Sequence, residues 1–456
     1  MLAETSTDQR LIRSKSELTE VFEGAEKPVS AFRIGMESEK FGVHGETGKP
    51  LAYEGDFSVV RLFQWLIGRG WAPESESAGG PIIALRRDAQ SITLEPGSQF
   101  ELSGSALGDM HAVRAEFDAH LSELEPIARE LGLVWLGVGF QPLAQLSELG
   151  WVPKQRYAVM REYLPPLGAR AHDMMLRTAT VQVNLDFSSE EDAMRKLVVA
   201  LKLSPLVHAL SANSPFVESR VASRKSVRGD VWLHMDPSRS GLIERVLAAR
   251  SPRYADYVEW ALDSGMFLIK RGGESLANTG QTFRDFLAHG FRGERATHAD
   301  WKLHLNTLFP EARLKNTLEA RSADSQRYEL ATAVPALWVG LMYDELALAG
   351  AEDLAREFSV QSLSSERAAL VDRGLDATLA GIPARSYAER LLDLAAAGLE
   401  RRQLLDASGR SERVQLEPLI ALVSRGRCPA DDLLSGLSPR AALPVSEMVS
   451  RTRLSP

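Results

Sequence analysis

Residues 178–187, TATVQVNLDF, alternate without a break: Val181, Val183, Leu185 and Phe187 fall on one side, Thr180, Gln182, Asn184 and Asp186 on the other. Successive side chains of a strand point to opposite faces, whereas a helix repeats its apolar positions at three and four. This period of two therefore dictates a β-strand with one apolar and one polar face. The period recurs in 31–43, where Phe32, Ile34 and Met36 alternate with Arg33, Gly35, Glu37 and Glu39. It recurs in 91–102, interrupted by Pro96-Gly97 as a bulge or bend would interrupt it. In 313–321, Leu314, Leu318 and Ala320 oppose Arg313, Lys315, Thr317, Glu319 and Arg321. Each segment is read as a half-buried strand, apolar face inward, with acids and amides on the other face.

Between these strands the pattern changes. Residues 16–24 and 111–131 have helical spacing, and 133–142 is an apolar run suited to a buried strand. Ser188, Ser189, Glu190, Glu191 and Asp192 supply caps and first-turn acids for a helix toward Asn213, with a kink expected at Pro205. Residues 267–280 read as a hairpin around Gly272-Gly273. From about residue 328 onward Leu and Ala recur at helical spacing. Hairpin-linked strands followed by a run of helices predict an α+β fold with an antiparallel sheet. No long Gly/Ser/Pro-rich linker divides the chain, so 1–456 is expected to form one catalytic domain, with 1–15 flexible and 328–456 a helical C-terminal layer.

A net charge of -8, with Lys and Arg scattered, carries no footprint for nucleic acid or an anionic membrane. The one cysteine, Cys428, cannot form an internal disulfide and reads as a packing residue. The first residues lack the basic start and apolar run of a signal peptide, and the apolar stretch 334–341 is too short to span a bilayer. These features predict a cytoplasmic protein.

Residues two apart on a strand share a face at roughly 7 Å, so Glu37 and Glu39 are neighbours there. If the strands adjoin, Glu95, Gln99, Glu101 and Glu319 join them, with the amides of Gln182 and Asn184. Acids crowded in a partly desolvated site need compensation. An all-oxygen donor set without Cys or paired His favours Mg²⁺ or Mn²⁺ over zinc. Arg313, Lys315 and Arg321 can balance phosphates. Two readings remain open on these residues alone: ordinary solvated strand faces, or a metal–phosphate site whose reaction the spacing does not name. No P-loop, dinucleotide fingerprint or nucleophile elbow is present; Gly79-Gly80 and Gly272-Gly273 read as turns, and His172-Asp173 as a loop or helix-start pair.

The same segments carry a resemblance. IGMESEKFG (34–42), SITLEPGSQFELSG (91–104), GVGFQP (137–142), RYAVMREYLP (156–165), DMMLRTATVQVNLDFSSE (173–190), ANSPF (212–216), TGQTFRDFL (279–287), FPEARLK (309–315), PALWVGLMYDE (335–345) and GLERR (398–402) are similar to motifs of the glutamate–cysteine ligases of the plant and proteobacterial type. The likeness runs over nearly all the chain from about residue 30. It implies a fold like the glutamine synthetase catalytic sheet: a curved antiparallel sheet forming a funnel, flanked by helices. It implies that ATP phosphorylates the γ-carboxylate of glutamate and that the amine of cysteine then attacks the acyl phosphate, the first step of glutathione synthesis. By motif, Glu37, Glu39, Glu95, Glu101, Gln182 and Glu319 would hold magnesium, with Glu37, Glu39 and Arg321 catalytic. Asn184, Lys315 and Arg321 would contact ATP, and Arg228 and Arg284 would bind glutamate.

One departure stands out. Plant members carry cysteine pairs that form regulatory disulfides, one of them at the position of Ala179. With Cys428 alone such a switch has no second thiol here, so a monomer or a non-covalent homodimer is expected. That departure and the missing transit peptide point to the bacterial branch. Rival readings are a glutamate ligase using another amine, a two-metal phosphohydrolase, and a non-catalytic nucleotide or glutamate sensor.

Overall fold

Strand pairing follows the period-two segments. A computed structural model describes residues 8–272 and 274–455. In it β1 (Ile34–His44), β2 (Ala72–Ser75), β3 (Ile82–Arg87), β4 (Gln90–Leu94), β5 (Phe100–Ser103), β6 (Leu133–Leu136), β7 (Val181–Leu185), β8 (Ala312–Leu314) and β9 (Leu318–Ala320) form one nine-stranded sheet. Its order is β8-β9-β7-β1-β5-β4-β3-β2, with β6 paired to the far half of β1, and every pairing is antiparallel. The expected α+β fold is present.

Two segments expected as single strands are hairpins. In 91–102 the chain reverses after Leu94. Glu95 N donates to Gln99 O at 3.0 Å and Ser98 N to Glu95 O at 3.0 Å, with Ser98 left-handed at φ 67°. Pro96-Gly97 is thus a turn rather than a bulge. Gly97 is required there, because a Cβ would meet Leu176 O at 2.5 Å. Gln99 leaves the polar face: its amide accepts from Gly97 N and donates to Met175 O and Thr178 O, bracing the turn. Likewise 313–321 folds back at 315–317, where Lys315 N donates to Thr317 O at 2.9 Å. Side-chain parity survives both reversals, because an antiparallel hairpin keeps paired residues on the same face.

The reverse face is packed. Ile34 and Met36 lie on β1, which packs on helix Met110–Leu131, and Val183 and Leu185 on β7, which packs on helix Ala333–Met342; helix Glu190–Leu210 covers β8 and β9. Lys40 breaks the apolar pattern of that face. Its Nζ lies 2.8 Å from His120 Nε2 beside Phe100 and Trp135, and burial pulls the ammonium down to about 7. In the helix Glu190–Leu210, Pro205 has no N–H for Leu201 O, and the preceding Ser204 hydroxyl donates to Ala200 O at 2.6 Å, with Leu201 O at 3.1 Å. Among the C-terminal helices, Ala333–Met342 and Ala384–Arg401 cross backbone to backbone, since a Cβ on Gly398 would meet Gly340 O at 1.9 Å.

Of the stretch expected to be flexible, 1–7 lie outside the described residues. From Asp8 the chain is docked: Ile12 is buried, Ile12 N donates to Ala296 O at 3.0 Å and His298 N to Arg10 O at 3.0 Å. The hairpin expected around Gly272-Gly273 pairs Leu268–Arg271 with Glu274–Ala277; Gly273 itself lies outside the described residues. Cys428 is buried with its thiol on Asp431, and burial pushes its pKa upward, as a packing residue requires.

Candidate active site

Register brings the polar residues together. Glu39 faces Glu101, which faces Thr93; Gln182 faces Glu37, which faces Ser103; Arg313 faces Glu319, which faces Asn184. This face is enclosed rather than solvated, against the half-buried expectation: Glu37, Glu39 and Glu101 are 6–7% exposed and Glu319 is 0% exposed. It floors a funnel of about 1580 Å³, whose lining includes Glu37, Glu39, Glu95, Glu101, Gln182, Arg228, Arg313, Lys315, Glu319 and Arg321.

The two ends of that floor differ in charge. At one end are Glu37, Glu39, Glu95 and Glu101. Glu39 accepts from Thr180 N at 3.0 Å and Gln182 Nε2 at 3.4 Å, both neutral donors. Burial, and then the charges of Glu95 and Glu101, push Glu39 well above the usual carboxylate range. Glu101 accepts from Thr93 and Ser103, and Glu95 Oε1 lies 3.4 Å from the Tyr157 hydroxyl oxygen. At the other end Glu319 is ringed by cations: Arg313 Nε at 2.6 Å, Arg321 NH1 at 2.9 Å and Lys315 Nζ at 3.2 Å. Burial alone would raise Glu319, but Arg313, Lys315 and Arg321 prevail and hold it well below the usual range.

This geometry redistributes the roles read from the motifs. Glu319, read as a magnesium ligand, lines the funnel with its oxygens on Arg313, Arg321 and Lys315. Gln182 spans both ends: its oxygen accepts from Arg321 NH1 at 2.6 Å and its nitrogen faces Glu39. Asn184 was expected on ATP, yet it is absent from the funnel lining. Its nitrogen donates to Glu37 at 2.8 Å and its oxygen accepts from the Thr317 hydroxyl at 2.8 Å, which makes it a brace. Arg228 enters the funnel from the helix Val227–Leu233, held by Ser322 O at 3.1 Å and Arg321 O at 2.9 Å. Arg284 does not. It sits outside the lining, paired to Glu259 at 2.8 Å and Asp263 at 2.6 Å, and the glutamate-binding expectation for it is corrected to a surface ion pair.

Other lining residues had no assigned role. Lys154 and Tyr157 both donate to Leu94 O at 2.7 Å, fixing the strand end that carries Glu95. Burial pulls Lys154 down to about 8. The RYAVMREYLP motif marked this segment without saying what it does. The funnel acids are spread rather than knotted. Among the described residues, the tightest His/Asp/Glu group is Glu17, Glu20 and His298 near the rim, with ligand atoms within 4.8 Å of one another. Spread acids leave room between them for an ion together with a ligand's oxygens. Four carboxylates, with Glu39 raised by its neighbours and no Cys or His in the funnel lining, fit a hard divalent cation.

Comparison with known proteins gives the family. The model of glutamate-cysteine ligase family 2 matches residues 33–445. Glutamate–cysteine ligase A, chloroplastic, of Oryza sativa subsp. indica is 39% identical over 413 residues, 90% of this chain and 82% of that one. The chloroplastic ligase of Arabidopsis thaliana is 40% identical over 412 residues, 90% of this chain and 77% of that one. In fold, the chain is similar to the crystal structure of glutamate–cysteine ligase from Francisella tularensis in complex with AMP, at a TM-score of 0.50 and 12% identity over 94% of this chain and 88% of that one. The cytoplasmic placement read from the N-terminus is overturned by the plant relatives, which are chloroplastic enzymes. A family model spanning most of the chain and relatives of this identity over most of both lengths make the chain a member of glutamate-cysteine ligase family 2.

Proposed function

We propose that the funnel joins the γ-carboxylate of L-glutamate to the amine of L-cysteine at the expense of ATP, giving γ-glutamylcysteine. The carrying observation is the division of one sheet face into an acidic end and a basic end, with Arg228 beside both. A γ-carboxylate oxygen attacks the terminal phosphorus and ADP leaves. The amine then attacks the acyl carbonyl, inorganic phosphate departs, and the amine loses its proton to water. Neither step needs a covalent enzyme intermediate; both need charge held in place.

Arg313, Lys315 and Arg321, aimed by Glu319, meet the phosphates, and Arg228 takes a carboxylate of glutamate. Asn184 and Gln182 keep Glu37 and Glu39 in register. Magnesium, held by Glu37, Glu39, Glu95 and Glu101, would neutralise the triphosphate and the moving phosphoryl group. We read 1–456 as one catalytic domain working as a monomer or a non-covalent homodimer.

The test is ADP release with glutamate, ATP and Mg²⁺ against a panel of amines. Cysteine should stimulate release at least tenfold over glycine, alanine and serine. Equal stimulation by those amines would overturn the acceptor, and release without glutamate would overturn the ligase in favour of a phosphohydrolase.

A further inference from the structure

Behind Arg228 lies a buried polar cluster that the reaction itself does not touch. Asp324 is 0% exposed in the segment that follows β9. It accepts from the Ser214 hydroxyl at 2.6 Å, from Asn213 N at 2.8 Å and from the Ser226 hydroxyl at 3.0 Å. Each hydroxyl passes the constraint on. Ser214 Oγ accepts from Arg228 N at 3.2 Å, and Ser226 Oγ accepts from Gly229 N at 2.9 Å as the N-cap of helix Val227–Leu233. His208 Nε2 lies 2.8 Å from Ser226 Oγ, and burial pulls that ring down to about 3, so the neutral imidazole donates there.

A hydroxyl has one proton. With Asp324 as an acceptor-only carboxylate, both serine protons point at it and both oxygens stay available to the backbone N–H groups of the first turn. The charge also acts on the guanidinium, whose NH1 lies 3.8 Å from Asp324 Oδ1. The same segment supplies Arg321 O and Ser322 O to that guanidinium, and its Ser325 hydroxyl donates to Glu39 O at 2.6 Å. Space is kept for the carboxylate by Gly139, where a Cβ would meet Asp324 Cγ at 2.4 Å.

We infer that Asp324 is a positioning residue for glutamate: through the Ser214 and Ser226 hydroxyls and its charge it fixes the helix start and guanidinium of Arg228 in the funnel. This rests on Arg228 as the glutamate anchor. Asparagine in its place is isosteric but uncharged: its oxygen can serve the Oδ2 side, where Ser214, Ser226 and Asn213 N converge, but its NH2 then stands where Oδ1 faced the Ser226 hydroxyl and the Arg228 guanidinium.

The test is steady-state kinetics of the full chain as Arg228→Lys, Asp324→Asn, Ser214→Ala and the Arg228→Lys double variants. Asp324→Asn should raise KM for glutamate about tenfold and leave KM for ATP within twofold; Ser214→Ala should raise KM for glutamate two- to threefold. In the Arg228→Lys background both effects should shrink below twofold, because the group they act through is gone. Full additivity there, an equal rise in KM for ATP, or no change in KM for glutamate would overturn the inference. Should Asp324→Asn not fold, the Ser214→Ala cycle decides by the same criteria. Arg228→Lys alone leaving KM for glutamate unchanged would overturn the anchor assignment itself, a separate outcome.

Discussion

The acidic and basic ends of the funnel floor share a sheet face and similar burial, yet their carboxylates respond in opposite directions. Glu319 lies within 3.2 Å of Arg313, Arg321 and Lys315 and is held low. Glu39 has neutral donors and acidic neighbours and is pushed high. At about 4 Å and the effective dielectric of a protein, one charge pair is worth roughly 4 kcal/mol, enough to set either direction. The difference teaches that neighbours, not burial, set the charge state on this face: Glu319 is matched by the protein's own cations, whereas Glu39 meets neutral donors and further acids, the feature on which the proposed Mg²⁺ site rests.

The largest test of this contrast is removal of the anchoring charge. Glu319→Gln leaves clustered buried cations unpaired and should lower unfolding free energy by about 3–5 kcal/mol in a denaturant titration. Glu39→Gln, which relieves repulsion, should cost less than about 1 kcal/mol in the same titration. Equal losses would erase the distinction. Glu39→Gln should also lower Mg²⁺-dependent turnover by about a hundred- to a thousandfold, measured as ADP release.

A second test sharpens the contrast through pH. Because Glu39 is raised in the fold, its protonation supports stability below the usual carboxylate value near 4.5, and that support is lost as pH rises through the raised value. Mg²⁺ held as proposed would oppose the loss. At one fixed Mg²⁺ concentration its gain in Tm, about 2.7 kcal/mol for each hundredfold excess over Kd, should therefore be larger at pH 8 than at pH 5 and should shrink in Glu39→Gln. A gain independent of both would place the cation elsewhere.

The smallest effect concerns the arginine outside the funnel. Arg284→Ala removes a pair in which Arg284 is 33% and Glu259 28% exposed, worth about 0.2–1 kcal/mol. KM for glutamate should stay within twofold; a tenfold rise would return Arg284 to the site.

The strand parity that gathers Glu37, Glu39, Glu101, Gln182 and Glu319 was legible in the sequence, because side-chain alternation is a local property of the backbone. The reversals at 95–99 and 315–317 were not, since a hairpin preserves parity and the alternation reads on through the turn. Nothing local in the sequence separates Arg228 from Arg284, and both lie in seven-residue helices. Only the packing of helix Val227–Leu233 against the segment after β9 separates the arginine facing the funnel from the one facing solvent. Asn184 was drawn to the site by parity, but its amide is consumed by Glu37 and Thr317 before any ligand arrives.

By itself the sequence determined which side chains share a face, that the face would concentrate carboxylate charge beside bases, and, through its motifs, the family. Tertiary structure alone decided which carboxylate meets which cation. Pairing depends on register and on distances of a few ångströms between strands far apart in the chain, and electrostatic energy changes sign with that choice while the residue pattern does not.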